Sequence, residues 1–300
     1  MNNKKLFLID AFPFIYQSYY AYKKNPLFTS KGLDTSPIMN FISLLINTLN
    51  NEKPSYMAIV FDTNQKTFRK KEYNKYKSHR KVTPEAINIA IPHIINILKT
   101  FRIHFIHAIK GYEADDIIGT IANMAENKGY IIYIMTLDKD FYQLVTKNIK
   151  IYIPPFKGHP KKILGIKEII ERFEVSSPKQ VIDLWSMMGD YSDNIPGLPG
   201  IGKITATKFI KKYGSIEKLF DSTHELKGNL QKNIENNKHL GLLYKKLITI
   251  VTTIPVLSFQ DEKFYIKKPK WNSIEEIFFE LEFKKLLKIA YQYFIYKTKQ

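Results

Sequence analysis

Three apolar runs punctuate the first half of the chain, and each is closed by an acid. Lys5-Leu6-Phe7-Leu8-Ile9 ends at Asp10, and Tyr56-Met57-Ala58-Ile59-Val60-Phe61 ends at Asp62. Tyr130-Ile131-Ile132-Tyr133-Ile134-Met135 leads into Thr136-Leu137-Asp138-Lys139-Asp140. Short runs that are apolar throughout and rich in β-branched and aromatic residues predict strands buried on both faces. Between them, stretches 38–50, 84–101 and 114–127 carry the helical period. Thr83-Pro84 offers the second helix an N-cap and a first-turn proline, Pro92 should kink it, and Gly129 stops the third. This alternation predicts an α/β fold, a mostly parallel sheet with helices on both faces. The acids would gather at its carboxyl edge, where such sheets meet their ligands.

From about residue 177 the pattern becomes helical, opened by Ser177-Pro178 as a second cap pair. The punctuated stretch Ile195-Pro196-Gly197-Leu198-Pro199-Gly200-Ile201-Gly202 then leads into a lysine-rich helix ended by Gly214. One amphipathic helix is expected over 274–294. The predicted organisation is a first domain over 1–173 with a basic segment at about 64–84, a helical module over 174–260, and a helical tail over 261–300.

Charge sharpens this picture. The chain holds 46 Lys and Arg against 28 Asp and Glu, a net +18, which favours a phosphate-rich partner. It has no cysteine, so disulfides and thiolate sites are excluded and any metal must be held by oxygen or imidazole. No apolar run approaches the roughly 20 residues needed to cross a bilayer, and the stretch before Asp10 is too short for a signal peptide. Cytoplasmic residence and no membrane partner are therefore expected.

Against the basic excess stand nine acids in turns or at strand ends: Asp10, Asp62, Glu113, Asp115, Asp116, Asp138, Asp140, Asp190 and Asp193. Any one of them reads as a turn former or as a helix-start acid. Three carboxylates within Gly111-Tyr112-Glu113-Ala114-Asp115-Asp116 exceed what capping requires. Carboxylates gathered at one sheet edge repel unless cations neutralise them, and hard divalent ions take such ligands. The seven histidines show no metal-ligand spacing.

Two further segments suit a polyanion. Residues 66–81 hold Lys66, Arg69, Lys70, Lys71, Lys75, Lys77, Arg80 and Lys81 interleaved with Phe68, Tyr73 and Tyr76. Such a run is commonly a solvated face, but here it follows Asp62 directly. It is expected to hang over the acids as a mobile cover, with cations for phosphates and rings for unstacked bases. Gly197, Gly200 and Gly202, followed by Lys203 and Lys208, read either as an ordinary connector or as a hairpin that lets backbone N–H groups approach a phosphate.

Three motifs in order, Gly-Tyr-Glu-Ala-Asp-Asp at 111–116, Thr-Leu-Asp-Lys-Asp at 136–140 and Gly-Asp-Tyr-Ser-Asp-Asn-Ile-Pro-Gly at 189–197, carry a resemblance. The chain closely resembles the 5′→3′ exonuclease domain of bacterial DNA polymerase I, of the flap endonuclease family, over nearly its whole length. The resemblance implies a PIN-like nuclease domain over 1–173, a helix–hairpin–helix DNA-binding module over 174–260, and a stand-alone nuclease without proofreading or polymerase domains. It places all nine acids on the family's metal-site positions, with Asp10, Asp62, Glu113, Asp115 and Asp116 nearest the chemistry and Asp138, Asp140, Asp190 and Asp193 completing the outer part. It places Arg69, Tyr73, Tyr76, Lys77 and Arg80 on a DNA-binding helical arch, with Lys77 and Arg80 neutralising the phosphate, and Gly197, Gly200, Gly202, Lys203 and Lys208 on the duplex.

The implied activity is hydrolysis of 5′ flaps, nicked DNA and RNA primers with two Mg²⁺ ions, replaceable by Mn²⁺, and K⁺ at the hairpin module. The implied setting is a nucleoid-associated monomer that works beside a separate DNA polymerase and ligase in replication and repair. Gln17 departs from the family's usual arginine and removes one phosphate contact, and His79 stands for an asparagine. A non-catalytic junction binder and a single-strand ribonuclease are the other readings. The intact acids argue against the first and the hairpin lysines against the second.

Overall fold

The computed structural model describes residues 4–63 and 65–298; Asn64, where the expected basic segment begins, and both chain ends lie outside the described residues. Six strands, β1 (Lys5–Asp10), β2 (Tyr56–Phe61), β3 (His104–His107), β4 (Ile131–Met135), β5 (Ile149–Ile153) and β6 (Lys162–Leu164), form one sheet of order β3-β2-β1-β4-β5-β6. All neighbours pair in parallel except β5 with β6. Neighbouring side chains of a strand face opposite ways. Leu6, Leu8, Ala58 and Val60 therefore enter one core, while Phe7, Ile9, Met57 and Ile59 enter the other.

Helices α1 (Ala11–Tyr22), α2 (Ser36–Glu52) and α4 (Glu85–Phe101) share the core on one face of the sheet. The short α3 (Phe68–Glu72) lies in the basic segment, and α5 (Ala114–Asn127) covers the other face. From β1 the chain steps outward through β2 to β3, then returns to β4 on the far side of β1. That reversal opens a crevice beyond the carboxyl ends of β1 and β4, the ligand position of open α/β sheets. Asp10 closes β1, and the 136–140 motif follows β4.

The helical half comprises α6 (Ile166–Phe173), α7 (Gln180–Met188), α8 (Lys203–Tyr213), α9 (Ile216–Asp221), α10 (Gly228–Asn236) and α11 (Lys238–Ile248). Within it α7 packs against α8 and α11, burying Leu184, Trp185, Ile210 and Leu247. The tail adds α12 (Asp261–Phe264), α13 (Trp271–Glu280) and α14 (Lys284–Thr298); α13 packs on α4 and α14 on α2. Among the described residues no helix is long and apolar enough to cross a membrane.

Several local expectations are corrected. Pro84 is itself the N-cap of α4, with extended backbone, and the Thr83 hydroxyl accepts a bond from Tyr16 Oη at 2.9 Å. Pro92 lies exposed inside α4, which runs on past it to Phe101. Ser177 and Pro178 form a turn ahead of α7, and the Gln180 side chain accepts from the Ser176 and Ser177 N–H groups. The single helix expected over 274–294 is two, because Glu282 adopts φ +59° between α13 and α14 and its carboxylate accepts the Ser30 N–H and hydroxyl.

Candidate active site

Asp10 and Asp62 extend from the ends of β1 and β2, while Asp115 stands in the first turn of α5 and Asp138 follows β4. These four line one cavity of about 250 Å³, which Lys77 and Arg80 also enter. Asp10 is almost fully buried and accepts a bond from Thr136 Oγ1 at 3.0 Å. Burial, together with Asp138 and Asp62 close by, pushes the Asp10 carboxyl up to about 7. Burial likewise raises Asp115 well above the usual carboxylate range, with Asp138 and Asp10 adding to it. Asp62 is raised by burial and by Glu113.

A second group of acids borders the helical module. Asp140 is buried with Oδ1 unpartnered, and burial with Asp138 and Asp193 raises it strongly. Asp190 leaves Oδ2 unpartnered, but its Oδ1 accepts from Lys139 Nζ at 2.9 Å and from Ser192. Burial pushes Asp190 up, yet the Ser192 hydroxyl and Lys139 outweigh it and hold the group below its ordinary value. Asp193 accepts from Tyr76 Oη at 2.8 Å and Arg80 Nη2 at 3.0 Å.

Between the groups stands Glu113. Its Oε2 accepts from Lys77 Nζ at 2.9 Å and lies 3.0 Å from Tyr76 Oη, whose single proton it shares with Asp193. Burial would raise Glu113, but Lys77 and Arg69 bring it below the usual range. In this arrangement no three His, Asp or Glu side chains among the described residues are placed to hold a metal ion together. Lysine and arginine already engage Glu113, Asp190 and Asp193.

Within the basic run, expected as a helical arch, helix is confined to one short stretch. Only α3 is helical; residues 74–79 form turns, with Lys77 at φ +51°. Lys77 N–H donates to the Asp193 carbonyl at 2.9 Å, and Asn194 Nδ2 donates to the Lys75 carbonyl at 2.8 Å and to Ser78 Oγ at 3.0 Å. The acids beneath pair with two of its cations, Lys77 with Glu113 and Arg80 with Asp193.

Three expected DNA contacts are turned inward. Arg69 is 2% exposed and pairs with Asp116, Tyr76 is 3% exposed between Glu113 and Asp193, and Tyr73 packs edge-on against Tyr244. Asp116, expected among the metal ligands, accepts four hydrogen bonds within the protein, two from Arg69 and one each from the Glu113 and Val251 N–H groups. Gln17 faces a separate cavity of about 380 Å³ with Phe14, Asn40, Tyr152 and Phe156, lined by none of the nine acids.

The glycine hairpin has the predicted backbone demands. Gly197 and Gly200 have φ +77° and +76°, and a Cβ on Gly197 would stand 2.4 Å from the Gly189 nitrogen. Gly202 caps α8 with open space around it. Lys203 and Lys208 are exposed, whereas Lys211 and Lys212 are paired with Glu174 and Glu225.

Thr136 and Lys139, which bind Asp10 and Asp190, were not singled out as site residues although they lie inside a recognised motif. Tyr191, inside the 189–197 motif, is 90% exposed, with its ring 5.4 Å from that of His79, a contact that no spacing in the sequence reveals.

Fold and cavity together define an α/β domain with an acidic cleft at the carboxyl edge of its sheet. The description 5′-3′ exonuclease, N-terminal resolvase-like domain, matches residues 5–174, and the description 5′-3′ exonuclease, C-terminal SAM fold, matches 176–272; the chain belongs to this 5′-3′ exonuclease family. The 5′-3′ exonuclease of Aquifex aeolicus is 34% identical over 285 residues, covering 95% of this chain and 94% of that protein. DNA polymerase I of Caldicellulosiruptor bescii is 34% identical over 289 residues, covering 95% of this chain and 33% of the polymerase. The chain thus spans about a third of that relative's length.

Among solved structures, T5 5′-exonuclease with bound zinc superposes with TM-score 0.68 at 19% identity, covering 95% of this chain and 99% of that one. The Rad2 catalytic core in complex with DNA substrate gives 0.66 at 18%, covering 97% and 92%. At these identities the likeness is one of fold.

Proposed function

We propose that the chain is a structure-selective 5′→3′ exonuclease and 5′ flap endonuclease whose acidic cavity works with bound Mg²⁺, or Mn²⁺ in its place. The observation that carries this reading is the convergence of Asp10, Asp62, Asp115 and Asp138 on one cavity roofed by Lys77 and Arg80. The donor set fits a hard cation. Asp140 and Asp190 each keep a buried oxygen without a partner, and Asp10, Asp115 and Asp140 are pushed up as carboxylates are when a neutralising charge is missing. Zinc in the T5 exonuclease structure and DNA substrate on Rad2 support the same reading.

Asp10, Asp62, Glu113, Asp115 and Asp138 would hold ions at the scissile phosphate, with Asp140, Asp190 and Asp193 completing the outer part. When bound, the metal supplies Lewis-acid stabilisation of the phosphate oxygens and a more acidic water. Lys77 and Arg80, freed from Glu113 and Asp193, would turn to the phosphate and meet the charge that develops on it. Burial excludes competing water and makes those charges count for more. Gly202, Lys203 and Lys208 would hold duplex backbone, with K⁺ at the hairpin as the finer expectation.

A comparison of labelled 5′-flap, 3′-flap and blunt duplex DNA in Mg²⁺ tests the proposal. Preferential cleavage at the 5′-flap junction is expected. Equal cutting of all three would remove structure selection, and binding without cutting would favour the junction-binder reading.

A further inference from the structure

Arg69 donates four of its five guanidinium N–H groups inside the protein, and its Nη1 also lies 3.7 Å from Glu113 Oε2. Nη1 and Nη2 donate to Asp116 Oδ2 and Oδ1 at 2.7 and 2.8 Å. Nε donates to the Leu247 carbonyl at 2.7 Å and Nη2 also to the Thr249 carbonyl at 2.9 Å. Asp116, fully buried, further accepts from the Glu113 N–H at 3.0 Å and the Val251 N–H at 2.9 Å. A carboxylate with two oxygens offers about four lone-pair directions, and all are occupied. A cation could reach Asp116 only by breaking a bidentate arginine pair.

The partners belong to three different parts of the fold. Arg69 sits in α3, the root of the segment that carries Tyr76 and Lys77. Asp116 anchors the first turn of α5, which carries Glu113 and Asp115. Leu247 and Thr249 close α11, whose final carbonyls have no partner within the helix and attract a cation. Lysine could not serve here, because an ammonium lacks the planar fork that meets a carboxylate and two carbonyls at once.

We infer that Arg69 and Asp116 form a positioning pair, neither metal ligand nor DNA contact, which holds the basic segment, the acids of α5 and the end of α11 in one register. The inference rests on the proposed metal centre, since what the pair positions is that centre. It gives the helical module a rigid connection to the reacting groups, so that DNA held on one is aligned with the other.

The test compares Asp116→Asn, Asp115→Asn and Arg69→Lys in the full chain, by Mn²⁺ binding without DNA, melting in EDTA, and steady-state cleavage of a 5′ flap. Asp116→Asn should bind as many Mn²⁺ ions as the parent, with affinity weakened by at most about a hundredfold, as for groups that orient ligands. Its melting temperature should fall by about 5 °C or more. Asp115→Asn should lose an ion without melting earlier. Arg69→Lys, assayed where it is folded, should lower kcat about tenfold to a hundredfold with KM little changed.

An Asp116→Asn protein that loses an ion and keeps its melting point would make Asp116 a ligand and overturn the inference. Arg69→Lys raising KM alone would make Arg69 a DNA contact, and a lower melting point with normal kcat would make the pair merely structural; either result refutes positioning. A parent protein that binds no Mn²⁺ would instead sink the metal reading, while Arg69→Lys would still decide between alignment and stability.

Discussion

Replacing Asp10 by asparagine separates a residue kept for chemistry from one kept for stability. Asp10 is 5% exposed, close to Asp138 and Asp62, and its carboxyl is pushed from the ordinary 3.8 to about 7. At about 1.4 kcal/mol per pH unit, that displacement withholds about 4 kcal/mol from the metal-free folded state above pH 7. The sign follows from proton binding. Between pH 4 and 7 the unfolded chain has released this proton and the folded chain has not, so the group's contribution declines as pH rises through that window.

Asparagine keeps the volume and an oxygen for the Thr136 hydroxyl but carries no charge. Asp10→Asn is therefore expected to stabilise the metal-free protein by about 2–4 kcal/mol at pH 8 and by almost nothing at pH 4. For a chain of this size that is a rise in Tm of about 3–6 °C at pH 8. Thermal melts in EDTA at pH 4, 6 and 8, read by circular dichroism, measure it. A variant no more stable than the parent at pH 8 would refute the reasoning, and so would a gain of equal size at pH 4. The same variant should have lost flap cleavage in Mg²⁺, a stability gained at the expense of activity.

Lys77→Met and Arg80→Met should each lower the rate of flap cleavage about a hundredfold while leaving affinity for unflapped duplex nearly unchanged; a loss confined to affinity would place both cations on the duplex instead. Gly197→Ala should lower Tm and duplex affinity together, because its Cβ would stand 2.4 Å from a backbone nitrogen at φ +77°. Gly202→Ala has open space and should keep Tm while weakening duplex binding. Equal melting of the two glycine variants would contradict the account of the hairpin.

The central strands were legible because β1, β2 and β4 are buried on both faces and carry uninterrupted apolar sequence. β3 and β6 are short and more exposed, with His104 and Lys162 interrupting any such run, and Lys150 interrupts the apolar sequence of β5. The acids at the sheet edge were legible from their place after the strands, and the turn at 197–202 from its glycine and proline punctuation. Partnerships across the fold were not. Arg69 reads as one cation in a basic run, and only tertiary structure shows it reaching Asp116 and the end of α11. The same holds for Glu282, whose bond to Ser30 accompanies the break between two helices that share one apolar period.

The central claim is that the cavity of Asp10, Asp62, Asp115 and Asp138 is a metal-activated phosphodiester-cleaving centre. Single-turnover cleavage of a labelled 5′ flap by EDTA-stripped protein, with Mg²⁺ then added back, tests it most directly. The account predicts a bound but intact flap in EDTA, and cleavage at the junction that appears with Mg²⁺ and is absent in Asp115→Asn. Undiminished cleavage in EDTA, or an Asp115→Asn protein that cuts at the parental rate in Mg²⁺, would contradict it.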